Sequence, residues 1–196
     1  MKAQPELSVT GRAAAFSDLL ARSVATDGSN SALEFEAAVS TVCDRLVAAR
    51  TGGNKVYLVG NGGSAGVASH AATDFFNAAK LRALTLHECS LMTCMANDFG
   101  YENAFARMLA QLVAPGDLVL AISSSGRSLN IRNAARQAAE SGGQVITLSG
   151  FAGDNPLRSM GSINFWLDSA DYGMVEIGHQ FILHNLSDRL RTALTE

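Results

Sequence analysis

Clusters of positive charge are missing from this chain. Lysine and arginine are scattered, the formal net charge is −3, and no block of cations occurs. That excludes a sequence-independent grip on nucleic acid or on an acidic membrane surface, since both need a concentrated positive field. A small anion can still be bound, because backbone N–H groups supply positive potential without net charge. Cysteine is scarce as well: Cys43, Cys89 and Cys94 cannot all pair within one chain, and none sits in a CxxC or Cys/His spacing that builds a structural zinc site. Reduced thiols of a cytoplasmic protein are the expectation. The N-terminus lacks a charged-then-apolar signal pattern, and no apolar run approaches the roughly 20 residues that cross a bilayer. What the chain does have is 47% apolar residues over a length of 196, enough to fill the core of one domain.

The pattern of elements divides in two. Between about Thr10 and Arg50, apolar residues recur at helical spacing in Phe16, Leu19, Leu20 and Val24, then in Leu33, Phe35, Val39, Val42, Leu46 and Val47. Two helices are expected there, separated by the turn cluster Asp27-Gly28-Ser29-Asn30-Ser31 and lacking a sheet of their own to cover. From Lys55 onward, short β-rich runs (Val56–Val59, Ala83–Leu86, Leu118–Ile122, Val145–Leu148, Ile163–Leu167) mostly alternate with helical stretches, the last of them Gly173–Leu194. Buried strands interleaved with helices predict a doubly wound α/β fold with a mainly five-stranded parallel sheet and an N-terminal helical pair. Ligands of such sheets bind along the C-terminal strand ends.

Two strand-to-helix loops invite an anion. Val56-Tyr57-Leu58-Val59 runs into Gly60-Asn61-Gly62-Gly63-Ser64, where glycine lets backbone approach a ligand and the next helix offers unpaired N–H groups. The loop has neither the Lys-Ser/Thr of a P-loop nor the G-x-G-x-x-G dinucleotide spacing, so no nucleotide cofactor is expected. Leu118–Ile122 leads likewise into Ser123-Ser124-Ser125-Gly126-Arg127-Ser128, a hydroxyl-rich nest suited to phosphate oxygens.

Acid–base groups lie on the helices beyond. His70 and Asp74 are spaced i, i+4 and share a face of the helix that the first loop opens. The terminal helix carries Glu176, His179, Gln180 and His184 among apolar neighbours. Each is either a satisfied core group or a functional one, because polar side chains are costly to bury without partners. Glu176 and His184 stand eight residues apart, an axial rise of about 12 Å.

Together, the two loops, the Asn97-Asp98-Phe99-Gly100 tetrad and the Glu176-Ile177-Gly178-His179…His184 pattern resemble the sugar isomerase (SIS) domain family over nearly the whole chain. The likeness is greatest to its branch that interconverts sedoheptulose 7-phosphate and a heptose 7-phosphate. It implies a single flavodoxin-like SIS domain over residues 1–196. Asn61, Gly62 and Gly63, with Ser64 beside them, would meet the sugar, and Asn97 and Asp98 would line its site. Ser123, Ser124, Ser125 and Ser128 would hold the phosphate. His70, Asp74, Glu176 and His184 occupy the positions of the family's catalytic pair and zinc ion, with His70 orienting the sugar or binding metal. A homotetramer is implied too, with active sites between subunits and helices of about residues 10–50 in the contacts. This chain departs from the family in carrying Asp74 where Glu is usual and Glu176 where Gln is usual.

Aldose–ketose exchange through an enediol needs a base at the carbon acid and an acid at the carbonyl oxygen. His184 is expected as one proton-transfer group and Asp74 or Glu176 as the other, with Glu176 taking over base duty from the shortened Asp74. The competing reading is a non-catalytic SIS-domain regulator that binds the bacterial replication initiator. A sugar-phosphate sensor joined to a DNA reader would need a helix-turn-helix segment, and none is evident.

Overall fold

The computed structural model describes residues 7–192. The ends of the expected 1–196 domain, and residues 193 and 194 of the expected terminal helix, lie outside the described residues. Strands are β1 (Val24–Asp27), β2 (Ala32–Leu33), β3 (Lys55–Val59), β4 (Arg82–Thr85), β5 (Leu118–Ser123), β6 (Gln144–Ser149) and β7 (Ile163–Trp166). Helices are α1 (Val9–Ala21), α2 (Phe35–Gly52), α3 (Gly63–Asn77), α4 (Cys89–Phe99), α5 (Ala104–Leu112), α6 (Leu129–Glu140) and α7 (Tyr172–Thr192). The sheet order is β2-β1-β7-β6-β5-β3-β4.

The five expected strands are β3 to β7, and they pair in parallel. Their alternation builds both layers. Val56, Leu58, Leu118, Leu120 and Ile122 face a core shared with α2, α3 and α7, while Tyr57, Val59, Val119 and Ala121 face a second core shared with α5 and α6. Every residue of β5 is buried, as a strand covered on both faces requires. No helix of the described residues is long and apolar enough to cross a membrane.

The N-terminal expectation needs correction. Val24 and Leu33, assigned by periodicity to the two helices, belong to β1 and β2. β1 adds antiparallel to β7, and β2 to β1, so among the described residues the sheet has seven strands rather than five. The turn cluster closes this hairpin: Asp27 Oδ1 accepts bonds from the Ser29 and Ser31 N–H groups, and Asn30 takes φ 63°. Asn164 of β7 secures β1 by donating to the carbonyls of Thr26 and Asp27. The N-cap of α2 is Glu34, whose carboxylate accepts from the N–H groups of Glu36 and Ala37. Nor does α2 lack a sheet to cover, since Val39, Val42 and Leu46 are buried in the first core. α1 fits the notion of an unpartnered helix better: it buries Leu19 alone, and Arg12 pins it to α7 through Asp171, with both nitrogens 3.1 Å from Oδ2.

The connections place the site. From β3 the chain winds outward to β4, then returns past β3 to β5 and winds the other way to β6 and β7. The C-terminal ends of β3 and β5 therefore flank a topological switch point, the usual ligand crevice of an open α/β sheet. Val59 pairs with Ala121 there, so the loops that follow lie side by side.

Candidate active site

The loops after β3 and β5 open into one cavity of about 240 Å³. Asn61, Gly62, Gly63 and Ser64 line one wall; Ser123, Ser124, Ser125 and Ser128 line the other, with Ile122 beneath. Gly60 lets the first turn of α3 fold back tightly, because a Cβ there would lie 2.6 Å from the Ser64 carbonyl oxygen. Gly62 holds φ 53°, a left-handed conformation that glycine adopts without penalty.

The starts of α3 and α6, the helices that follow the two loops, are free of side-chain capping. Gly62 has no side chain to offer α3, and the Ser128 side chain makes no capping bond to α6. By contrast, Ser8, Glu34 and Glu88 cap α1, α2 and α4. Uncapped first turns present unpaired N–H groups and the positive end of the helix dipole, which favour an anion. Hydroxyls add to the nest. Ser124 Oγ is buried with no hydrogen-bond partner among the described residues, and Ser123 Oγ donates weakly to Ser128 Oγ at 3.3 Å. Ser125 Oγ accepts from the Arg127 N–H at 3.2 Å.

Glu176 and Tyr172, from the first turns of α7, close the cavity. The Glu176 carboxylate lies directly against Gly63, in the space a larger residue there would fill. Further along the same two helices, Asp74 Oδ2 stands 3.4 Å from His70 Nε2 and 3.2 Å from His184 Nδ1, and the two Nε2 atoms are 3.0 Å apart. Residue 176 meets residue 63, while residue 184 meets residues 70 and 74. α3 and α7 thus run parallel from the cavity outward, and the 12 Å axial separation between Glu176 and His184 is matched step for step on α3.

The three donor groups form a candidate metal site. With one ligand atom taken from each residue, those atoms lie within 4.8 Å of one another, and imidazole and carboxylate are ligand types that zinc accepts. Asp74 Oδ2 is buried without a well-formed hydrogen bond, as an atom waiting for a cation would be. Glu176, expected as a fourth ligand, is not in this group, because it lies two turns back at the cavity. His179 separates from the functional set altogether. It is fully buried, its Nε2 bonds the Ser149 carbonyl at 3.1 Å, and burial pushes its pKa down to about 4.

A family model described as the SIS domain matches residues 15–150. The chain belongs to the SIS domain family. The phosphoheptose isomerase of Mycobacterium tuberculosis is 35% identical to it over 163 residues, 80% of this chain and 83% of that protein. The phosphoheptose isomerase of Trichlorobacter lovleyi is 33% identical over 167 residues, 82% of this chain and 85% of that protein. A solved phosphoheptose isomerase from Francisella tularensis superposes with a TM-score of 0.74 at 27% identity, covering 80% of this chain and 86% of that one.

Within this SIS domain, Asn97 and Asp98 are the expected residues that join neither the cavity lining nor the His70, Asp74 and His184 cluster. They sit exposed at the end of α4, bonded to one another, on a helix that buries none of its residues. Other residues of the site were not singled out by spacing or motif. Tyr172 and Ile122 line the cavity. Asn130 and Tyr101 bond Asn61. His87, just after β4, packs edge-on against Phe105, and burial holds its pKa below the usual imidazole value. Hydroxyl, amide and imidazole side chains of this kind carry no periodic signal, and only the fold brings them to the loop.

Proposed function

We propose that this SIS domain is an aldose–ketose isomerase of a long-chain sugar phosphate, interconverting sedoheptulose 7-phosphate or a related heptulose or octulose phosphate with its aldose through an enediol. One observation carries the reading. Two uncapped helix N-termini, at the switch point of the sheet, open with five serines into one cavity walled by a carboxylate. The relatives named phosphoheptose isomerase match over four fifths of the chain and support the same substrate class.

In this reading the serine nest and both helix ends bind the phosphate. Anchoring there supplies orientation for carbons remote from it. Glu176 is the carboxylate at the cavity itself and takes the proton from the carbon acid. His184, held by Asp74, serves as the second proton-transfer group, and His70 positions the sugar. His70, Asp74 and His184 are of the types and spacing to hold zinc, which when bound would act as a Lewis acid toward a sugar oxygen. The assembly is a homotetramer with active sites shared between subunits. Exposed Phe76, Tyr101, Ile177 and Phe181, together with the thinly anchored α1 and the unburied α4, favour that arrangement. It brings Asn97 and Asp98 to a sugar site, and the protein works in the cytoplasm.

The test is incubation with sedoheptulose 7-phosphate in D₂O, followed by NMR. An enediol route produces an aldose phosphate carrying deuterium at C2. No product from any C5 to C8 ketose phosphate, with or without zinc, would overturn the assignment.

A further inference from the structure

Asn61, from the loop after β3, and Asn130, in the first turn of α6 after the second loop, form a reciprocal amide pair across the switch-point crevice. Asn61 Nδ2 donates to Asn130 Oδ1 at 2.9 Å, and Asn130 Nδ2 donates back to Asn61 Oδ1 at 2.8 Å. The Tyr101 hydroxyl also donates to Asn61 Oδ1, at 2.9 Å. Asn130 is 3% exposed, whereas Asn61 lines the cavity.

Counting donors and acceptors gives the consequence. An amide oxygen has two lone pairs and an amide nitrogen two N–H groups. Both lone pairs of Asn61 Oδ1 are engaged, and one N–H is used on Asn130. What remains at the cavity is a single N–H. Without its two partners, the Asn61 amide could rotate and present either end. With them, it is held in the plane of the pair, and in this arrangement the group left over is an N–H.

We propose that Asn130, assisted by Tyr101, is a positioning residue: it locks the Asn61 amide so that its remaining N–H donates to an oxygen of the sugar rather than to the phosphate. The inference rests on the isomerase reading. The same pair ties the two anion-binding loops together, so its loss is felt at the sugar end while the serine nest keeps its own geometry. A donor held in advance at a sugar oxygen costs no reorganisation when charge develops there.

The experiment compares Asn130→Ala, Tyr101→Phe, Asn61→Ala and the Asn61→Ala/Asn130→Ala double variant in the full chain. Turnover of sedoheptulose 7-phosphate is measured alongside calorimetric titrations with that sugar phosphate and with inorganic phosphate alone. For Asn130→Ala, kcat/KM is expected to fall ~10-fold or more, the scale of one misplaced hydrogen bond, with inorganic phosphate affinity within about twofold of the parent. The double variant is expected to be no worse than Asn61→Ala, because residues that act as one unit are not additive. Phosphate affinity falling in step with sugar-phosphate affinity would reduce Asn130 to a prop for the serine loop and overturn the proposal. Losses that multiply in the double variant would overturn it too. If Asn130→Ala does not fold, Tyr101→Phe decides, since it removes one hydroxyl from a half-exposed ring: kcat/KM should drop ~3-fold or more at constant phosphate affinity, and no change refutes the assignment. A parent protein that binds the sugar phosphate but does not isomerise it would sink the isomerase reading alone, and the titrations would still judge the amide pair.

Discussion

The carboxylate of Glu176 occupies the space in which a side chain on Gly63 would begin. The first turn of α7 is thereby keyed into the first turn of α3, and the one acidic group of the cavity is held at its mouth. Gly63→Ala should leave the fold intact, because alanine in a helix is favoured over glycine by roughly 0.5–1 kcal/mol and the obstructing atoms end a flexible side chain. It should displace the carboxylate and lower kcat/KM as much as Glu176→Gln does. Adding Gly63→Ala to Glu176→Gln should cost little more, and fully additive losses would show that the contact has no bearing on the reaction.

The two carboxylates can be ranked. Glu176→Gln is expected to reduce kcat by ~10²-fold or more, the scale of a lost general base, and more than Asp74→Asn does. Near-normal kcat in Glu176→Gln would return base duty to Asp74.

Phosphate anchoring is tested by Ser125→Ala/Ser128→Ala. Each hydrogen bond to a charged group contributes about 1.5–3 kcal/mol, so the double variant should weaken sugar-phosphate binding by ~100-fold or more. Unchanged affinity in a calorimetric titration would place the phosphate elsewhere.

Metal binding separates the polar groups of α7. Zinc titration monitored with a competing chelator should show a loss of affinity greater than ~10-fold in His70→Ala and in His184→Ala. Glu176→Gln should retain the parent affinity, since that carboxylate lies outside the three-residue cluster. Equal losses in all three variants would make Glu176 a ligand after all.

His179 makes stability depend on pH. Its Nε2–H donates to the Ser149 carbonyl, and Nδ1 is buried without a partner, so protonation would bury an unpaired charge. The folded-state pKa is depressed from 6.5 to about 4. The unfolded chain therefore takes up the proton first as the solution is acidified. The contribution of His179 is fully present above pH 6.5 and is lost as pH falls toward about 4, over a range on the order of 3 kcal/mol. Urea denaturation across that window should give a flatter stability profile for His179→Gln, and an unchanged profile would assign the acid sensitivity to other groups.

The motifs and the fold class were legible because they are local. β3 and β5 are runs of apolar residues that can only be buried, and each ends in glycine or serine at the start of a helix. The hairpin was not, because Val24 and Leu33 sit in segments short enough to satisfy a helical spacing as well as an extended one. What decided against the helix was long-range: β1 pairs with a strand some 140 residues later, and Asn164 fills its carbonyls. Similarly, nothing in the spacing of α7 says which of its polar groups is core and which is site. His179 turns toward Ser149, and Glu176 and His184 turn toward α3, only because that helix packs in parallel beside α7.

By itself, the order of residues determined which loops are rich in glycine and serine and which side chains can titrate. Only the tertiary structure decided that the loops share one crevice, that Asp74 gathers two imidazoles while Glu176 stays at the cavity, and that Asn61 is held by Asn130 and Tyr101. Loop chemistry is set by neighbours in the chain, whereas the meeting of distant side chains depends on strand order and helix packing, which the whole molecule settles at once.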